Sequence, residues 1–192
     1  GSAVKVSLLD GIQNIMPASI GSDEQNQSSN LVDAYKRNEL EEKTGLGIFA
    51  LSAILVDKAE ASEALKANVV WSLGLDNPKY LLSSLQLNDF RLGKSISQEI
   101  DVKAEKGAYF LNSDIILEKE SSKEWMIIAN VNQNHSSIAK LSKHIQEEST
   151  LIDIINDDIN AGTRRLVDLN SASDAIQITS DNLKDTRHFA KI

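Results

Sequence analysis

Residues 134–192 read NHSSIAKLSKHIQEESTLIDIINDDINAGTRRLVDLNSASDAIQITSDNLKDTRHFAKI, and this stretch has the clearest periodicity in the chain. Apolar residues recur at alternating intervals of three and four residues when Ile138 is placed at heptad position a. Such spacing keeps apolar side chains on one side of a helix, and it is typical of helices that pack in coiled coils or bundles. We therefore predict one long amphipathic, coiled-coil helix over residues 134–192.

The apolar residues at heptad positions a and d are expected to form the association face of this helix. They are Ile138, Leu141, Ile145, Ile152, Ile155, Ile159, Leu166, Leu169, Ile176 and Leu183. The neighbouring e positions carry almost no charge, and the apolar face widens around residues 151–155. Both features favour a helical bundle over a zipper selected by salt bridges. Three partners stay open: the chain's own domain, a second copy of the chain, or another helical protein.

A second interpretation breaks this helix near Gly162. Glycine costs about 1 kcal/mol relative to alanine inside a helix, and residues 160–163 (NAGT) resemble a helix stop followed by an N-cap. A break at this point would turn the region into a helical hairpin. The heptad phase continues across Gly162, which favours one helix, but the hairpin stays open.

The preceding part of the chain predicts helices. Residues 31–43 and 48–67 both have helical patterns. The second of these segments begins within the longest apolar run of the chain, which indicates a buried helix. Residues 21–30 (GSDEQNQSSN) are polar and aperiodic, and we predict a flexible loop there.

Three runs of alternating apolar and polar residues lie within residues 95–132, joined by short polar turns. This pattern is typical of an antiparallel meander with one buried face. The predicted fold class is therefore α+β and helix-dominated. It has a helical layer packed on a three-stranded antiparallel meander, followed by the long C-terminal heptad helix or helical hairpin. Residues 1–133 would form the globular α+β region.

The composition argues against several classes of protein. The net charge is −8 and the isoelectric point about 4.9, whereas a nucleic-acid partner requires a basic face. The chain has no cysteine, which excludes disulfides, thiolate metal sites and cysteine nucleophiles. Its longest apolar run falls far short of the roughly 20 residues that a membrane-spanning helix needs.

No constellation of residues predicts catalysis or the binding of a cofactor or metal. His135 and His144 are not four residues apart, as two metal ligands on one helix face are. Asp153, Asp157 and Asp158 form an acidic helix face, which is usually solvated. No nucleophile elbow, phosphate loop or dinucleotide motif is present. We therefore expect a protein that is not an enzyme and that needs no cofactor.

The order of the predicted elements suggests a function. Small sensor domains often place a sheet before a heptad helix, although this is an analogy of fold alone. We expect a non-enzymatic sensory or input module of a signalling protein. Its α+β region would sense a ligand or partner, and its C-terminal helix would relay the change. The alternative is a structural protein–protein interaction module that assembles through a helical bundle and binds no small ligand.

The C-terminal end of the chain suggests a setting for either function. Arg187, His188 and Lys191 lie near this end, and no helix cap follows them. A basic helix end of this kind fits a membrane span or further coiled coil after residue 192. It favours an extracytoplasmic domain of a bacterial membrane protein.

Overall fold

The computed structural model describes residues 2–53, 65–147 and 149–172. The chain divides into two compact units, residues 1–147 and residues 148–192. The described residues contain eight strands and five helices. The strands are β1 (Val4–Ile15), β2 (Lys36–Glu41), β3 (Leu46–Leu51), β4 (Lys66–Leu73), β5 (Lys79–Leu81), β6 (Asp101–Lys103), β7 (Gly107–Leu117) and β8 (Met126–Asn134). The helices are α1 (Ser22–Gln27), α2 (Ser29–Tyr35), α3 (Leu87–Arg91), α4 (His135–Glu147) and α5 (Leu151–Ala172).

The prediction of a helix-dominated α+β fold is wrong. The strands form two antiparallel sheets, one of three strands in the order β1-β7-β5 and one of five in the order β6-β2-β3-β4-β8. The predicted meander is also wrong, because β6, β7 and β8 do not pair with one another. Instead β7 pairs with β1 and β5, β6 pairs with β2, and β8 pairs with β4. Alternation of apolar and polar residues indicates a strand with one buried face, but it does not show which other strand pairs with it.

The helices predicted for residues 31–43 and 48–67 are largely replaced by strands. Residues 36–41 and 46–51 are β2 and β3, paired as a hairpin whose turn places Gly45 at a φ of +71°. An apolar run of this length fits a buried strand as well as a helix, so its periodicity cannot separate them. Residues 54–64 lie outside the described part of the chain. The predicted loop at residues 21–30 contains α1 and the beginning of α2.

The two sheets share a hydrophobic core. Its buried members are Leu40, Phe49, Val70, Leu82, Tyr109 and Leu111. The hydroxyl of Tyr109 donates a hydrogen bond of 2.7 Å to the buried carbonyl of Gly45 and lies 3.3 Å from the hydroxyl of Ser72. Burial raises the pKa of Tyr109 far above its ordinary value, so the phenol stays protonated and can act as a donor.

A second core covers the other face of the three-stranded sheet. Ala108 and Phe110 of β7 point away from Tyr109 and pack with Leu81 and Ile96. The first half of β7, residues 107–111, is therefore buried on both faces, as its continuous apolar sequence (GAYFL) requires. The carboxylate of Glu99 holds residues 82–86 beside this core. It accepts hydrogen bonds from the backbone N–H of Leu82 at 2.7 Å, the hydroxyl of Ser83 at 3.0 Å and the side-chain amide of Gln86 at 2.8 Å.

Strand β1 lies at the edge of the three-stranded sheet and pairs with β7 over nearly its full length. The register shifts between Gln13 and Ile15, where Asn14 has a φ of +57°. Such a shift is a β-bulge, which bends the strand and increases its twist. Near the other end of β1, Lys5 pairs with Asp114 of β7 at 2.9 Å.

The prediction of one continuous helix from residue 134 is wrong, because in the described residues α4 ends at Glu147 and a separate helix, α5, begins at Leu151. The helix α5 continues through Gly162, so the predicted hairpin with a break at this glycine does not occur. The hydroxyl of Thr163 donates to the carbonyl of Ile159 at 3.0 Å, one turn earlier in the same helix. It therefore does not cap a new helix.

Replacing Tyr109 by phenylalanine is expected to lower the free energy of unfolding by about 1–3 kcal/mol. The carbonyl of Gly45 would stay buried but lose its donor. Urea denaturation followed by tryptophan fluorescence measures this change. Tyr35→Phe is the matched control, because the Tyr35 side chain is exposed, and it should cost less than about 0.5 kcal/mol. Equal losses in the two variants would contradict the role assigned to the Tyr109 hydroxyl.

Candidate functional site

A groove of about 450 Å³ lies between α4 and the face of the five-stranded sheet that points away from the core. We call it the α4 groove. Its floor includes Leu46, Ile48 and Ala50 of β3, and its wall includes Ile138 and Ala139 of α4. An apolar floor with polar groups at the margin is typical of sites that hold small molecules or peptide segments.

The register of the β2–β3 hairpin places charged residues beside this apolar floor. Arg37 pairs with Ala50, Glu39 with Ile48 and Glu41 with Leu46. Side chains alternate between the two faces of a strand, so the neighbours of Arg37 and Glu39 in β2 point into the core. The alternation of side chains along β2 therefore places one set in the core and the other set at the rim of the groove.

The rim is held by ion pairs. Nη2 of Arg37 lies 2.8 Å from Oε1 of Glu39, and its Nε donates to Oδ1 of Asp101 at 3.2 Å. The hydrogen bond that Arg37 donates to Asp101 holds the pKa of Asp101 below its ordinary value, and the same bond raises the pKa of Arg37. Two carboxylates thus already surround this guanidinium, which disfavours an anionic ligand at this rim. Exposed pairs of this kind contribute only about 0–1 kcal/mol to stability.

Lys36 is the most deeply buried charged side chain described, with 4% of its surface exposed. Its Nζ donates to Oδ1 of Asp33 and to Oε1 of Gln25, both at 2.7 Å. Burial raises the pKa of Asp33, but the hydrogen bonds from Lys36 and Gln25 and the charge of Lys36 outweigh it and lower the pKa overall. This cluster ties α1 and α2 to β2, so its role is structural rather than chemical.

Eight of the ten residues predicted to form the association face are described, and these eight fall on two different helices. Ile138, Leu141 and Ile145 lie on α4 and are half-buried, and Ile138 lines the groove. The other described members lie on α5: Ile152, Ile155, Ile159, Leu166 and Leu169. Ile176 and Leu183 lie outside the described residues. The prediction of one shared association face is not tested by these positions, but the two helices belong to separate compact units.

The helix α5 carries an exposed apolar stripe. Ile152 is 48% exposed, Ile159 55%, Leu166 60% and Leu169 69%. Ile154 and Val167 are also exposed but lie on other faces of the helix, and Leu151 is the one buried side chain among the described residues of this helix. An exposed row of large apolar side chains on one helix face is typical of an interaction site.

Histidine, aspartate and glutamate side chains in the described part of the chain are not grouped as metal ligands would be. No group of three or more His, Asp and Glu side chains in these residues is placed to hold a metal ion. His135 borders the α4 groove, and His144 is exposed elsewhere on α4. Of the helices formed by these residues, none combines the length and apolar character needed to cross a membrane.

The sequence interpretation missed the charged rim of the α4 groove. The signal was present in residues 36–41 (KRNELE), where Arg37, Glu39 and Glu41 alternate with residues that are buried. Two of those buried residues are Lys36 and Asn38, which are polar, so the alternation did not look hydrophobic. A strand with polar residues on both faces is not distinguished by hydrophobic periodicity.

No model of a known protein family matches this sequence, and no curated protein matches it significantly.

Replacing Asp33 by asparagine is expected to cost about 1–3 kcal/mol of unfolding free energy at neutral pH. The change leaves the buried ammonium of Lys36 without a counter-charge. Asp89→Asn is the matched control, because it removes the carboxylate of an exposed pair with Lys94. It should cost less than about 1 kcal/mol. Urea denaturation at pH 7 compares the two variants with the wild type.

The effect of Asp33→Asn should depend on pH. The pKa of Asp33 is lowered in the folded state, so its contribution is complete above the unfolded value, roughly 4, and is lost as the pH falls through the folded value. The difference in unfolding free energy between wild type and Asp33→Asn should shrink below about pH 4. A difference that stays constant from pH 7 to pH 2 would contradict this assignment.

Proposed function

We propose that the protein is a non-catalytic interaction module that assembles through helix α5. The observation that carries this proposal is the exposed apolar stripe of α5, from Ile152 to Leu169. The two-sheet unit provides the folded body, and the helix provides the contact surface. The acidic net charge of −8 supports a protein partner rather than a nucleic acid.

The size of the stripe is adequate for association. The helix has 22 residues and is therefore about 33 Å long. Complete burial of an exposed isoleucine or leucine side chain contributes about 1.5–3 kcal/mol, and the stripe offers several that are about half exposed. Part of this gain is offset by the loss of translational and rotational freedom on association. Association of moderate strength at micromolar concentrations is therefore expected.

The double variant Ile152→Asp and Ile159→Asp is expected to dissociate the assembly. An unpaired carboxylate is costly to bury, so the contact is lost. Light scattering over a concentration series should show a wild-type species larger than the chain mass of 21.1 kDa and a variant at that mass. The sheet unit should keep its circular dichroism and thermal midpoint.

The double variant Asn160→Asp and Ser171→Asp is the matched control, because it adds the same two charges at exposed polar positions that face away from the stripe. It should retain the wild-type assembly. Wild-type protein that stays at the monomer mass at every concentration would exclude self-assembly through α5. A variant that loses its sheet signal would show that these residues support the fold instead.

A second candidate function is a sensory or input module, which the α4 groove supports. The groove is open to solvent, has an apolar floor and charged margin, and lies under α4, which directly precedes α5 in the chain. A ligand with an apolar body and a polar end that is not anionic fits this lining. Its binding would change the position of α4 and so bias the association of α5.

Ala139→Trp tests the sensory candidate by filling the α4 groove. Compounds of the stated type are screened for an increase in the thermal midpoint of the wild type, since ligands that bind the folded state stabilise it. The increase should disappear in Ala139→Trp. Lys143→Trp is the matched control, because Lys143 lies on α4 but does not line the groove. If no compound raises the wild-type midpoint, or Ala139→Trp keeps the increase, the sensory candidate fails.

A further inference from the structure

The charges along α5 are unevenly distributed. Its first half carries Asp153, Asp157 and Asp158, and its second half carries Arg164, Arg165 and Asp168. The described part of the chain shows no ion pair for any of these six side chains. A helix that is strongly acidic before its midpoint and has a net positive charge after it is complementary to a second copy that runs in the opposite direction.

The heptad phase sharpens this complementarity. With Ile152 and Ile159 at position a, Asp158 and Arg165 both fall at position g, beside the apolar stripe. In an antiparallel pair of helices, position g of one faces position g of the other, whereas in a parallel pair it faces position e. The e positions near them are Thr163 and Asn170, which are uncharged. Only the antiparallel arrangement therefore gives Asp158 and Arg165 opposite charges as neighbours.

One register of two antiparallel α5 helices brings the opposite charges together and also packs the two apolar stripes against each other. When Asp158 faces the partner's Arg165, the same alignment places Ile152 opposite the partner's Leu169 and Ile155 opposite the partner's Leu166. The central layer places Ile159 opposite the partner's Gly162. A Cβ atom built on Gly162 would meet no atom within 4 Å, so the glycine leaves open space beside the stripe. The branched side chain of Ile159 fills that space.

We infer that α5 pairs with α5 of a second copy in antiparallel orientation, with Asp158 of each chain facing Arg165 of the other. This inference is built on the proposed function and names its partner and geometry. The pairing is symmetric, because each chain contributes both members of the ion pair. It also gives Gly162 a role that compensates for its cost within a helix: it admits Ile159 at the centre of the contact.

Cysteine cross-linking tests the orientation, because the native chain contains no cysteine. Ile152→Cys and Leu169→Cys are prepared separately in the full chain and oxidised alone or as an equimolar mixture. The mixture should cross-link at least about ten-fold faster than either variant alone, because the two positions face each other only in the antiparallel register. Ile152→Cys that cross-links with itself as fast as the mixture overturns the antiparallel pairing.

The charge requirement is tested in the same reaction. Asp158→Arg added to both cysteine chains should slow the mixed cross-link about ten-fold, because each ion pair becomes a repulsion between two arginines. Further addition of Arg165→Asp restores opposite charges and should restore the rate. Asp157→Arg is the matched control, because it makes the same change at a position that faces away from the stripe. Equal slowing by Asp157→Arg and Asp158→Arg overturns the assigned ion pair.

The failure of this inference differs from the failure of the proposed function. If light scattering shows a wild-type dimer while the mixture does not cross-link faster, the antiparallel geometry is overturned and assembly through α5 stands. If the wild type stays at 21.1 kDa at every concentration and no pair of cysteines cross-links, both are overturned.

Discussion

The hydrogen bond from the Tyr109 hydroxyl to the Gly45 carbonyl is the contact on which the rest of the first unit depends. It joins β7 of one sheet to the β2–β3 turn of the other. The ring also approaches Gly47 so closely that a Cβ atom there would lie 2.9 Å from Tyr109 Cδ2. Because the sheets are packed this tightly at their centre, the surfaces suited to binding lie outside the core, in the α4 groove and on α5.

The fold could be predicted from the sequence only where its signals are local. Residues 107–117 and 126–134 are strands, and their alternation is visible in the sequence. Their partners are distant: β7 pairs with β1, roughly a hundred residues earlier in the chain. The strand β2 was hidden because its buried residues include Lys36 and Asn38, whose polar groups are satisfied by partners that the sequence does not reveal. A tertiary environment overrides local pattern in such cases.

Of the two candidate binding surfaces, only the one that depends on local sequence could be predicted. The stripe of α5 could be found from the sequence, because it depends on one helix and its own periodicity. The α4 groove could not, because it requires the pairing of β2 with β3 and the placement of α4 beside them. The heptad phase also continues from α4 into α5, although the helices are separate. Continuity of a sequence pattern therefore does not establish continuity of a helix.

The bulge at Asn14 has a consequence for how this chain avoids unwanted contacts. In the described part of the three-stranded sheet, β1 is an edge strand, and such an edge can recruit a strand from another molecule and start aggregation. The bulge twists the C-terminal end of β1, and Lys5 places a charged side chain near its N-terminal end. A strand from another molecule that paired with β1 would have to follow a bent backbone at one end and desolvate a cation at the other. The β1 edge of this sheet is thus protected against the addition of further strands.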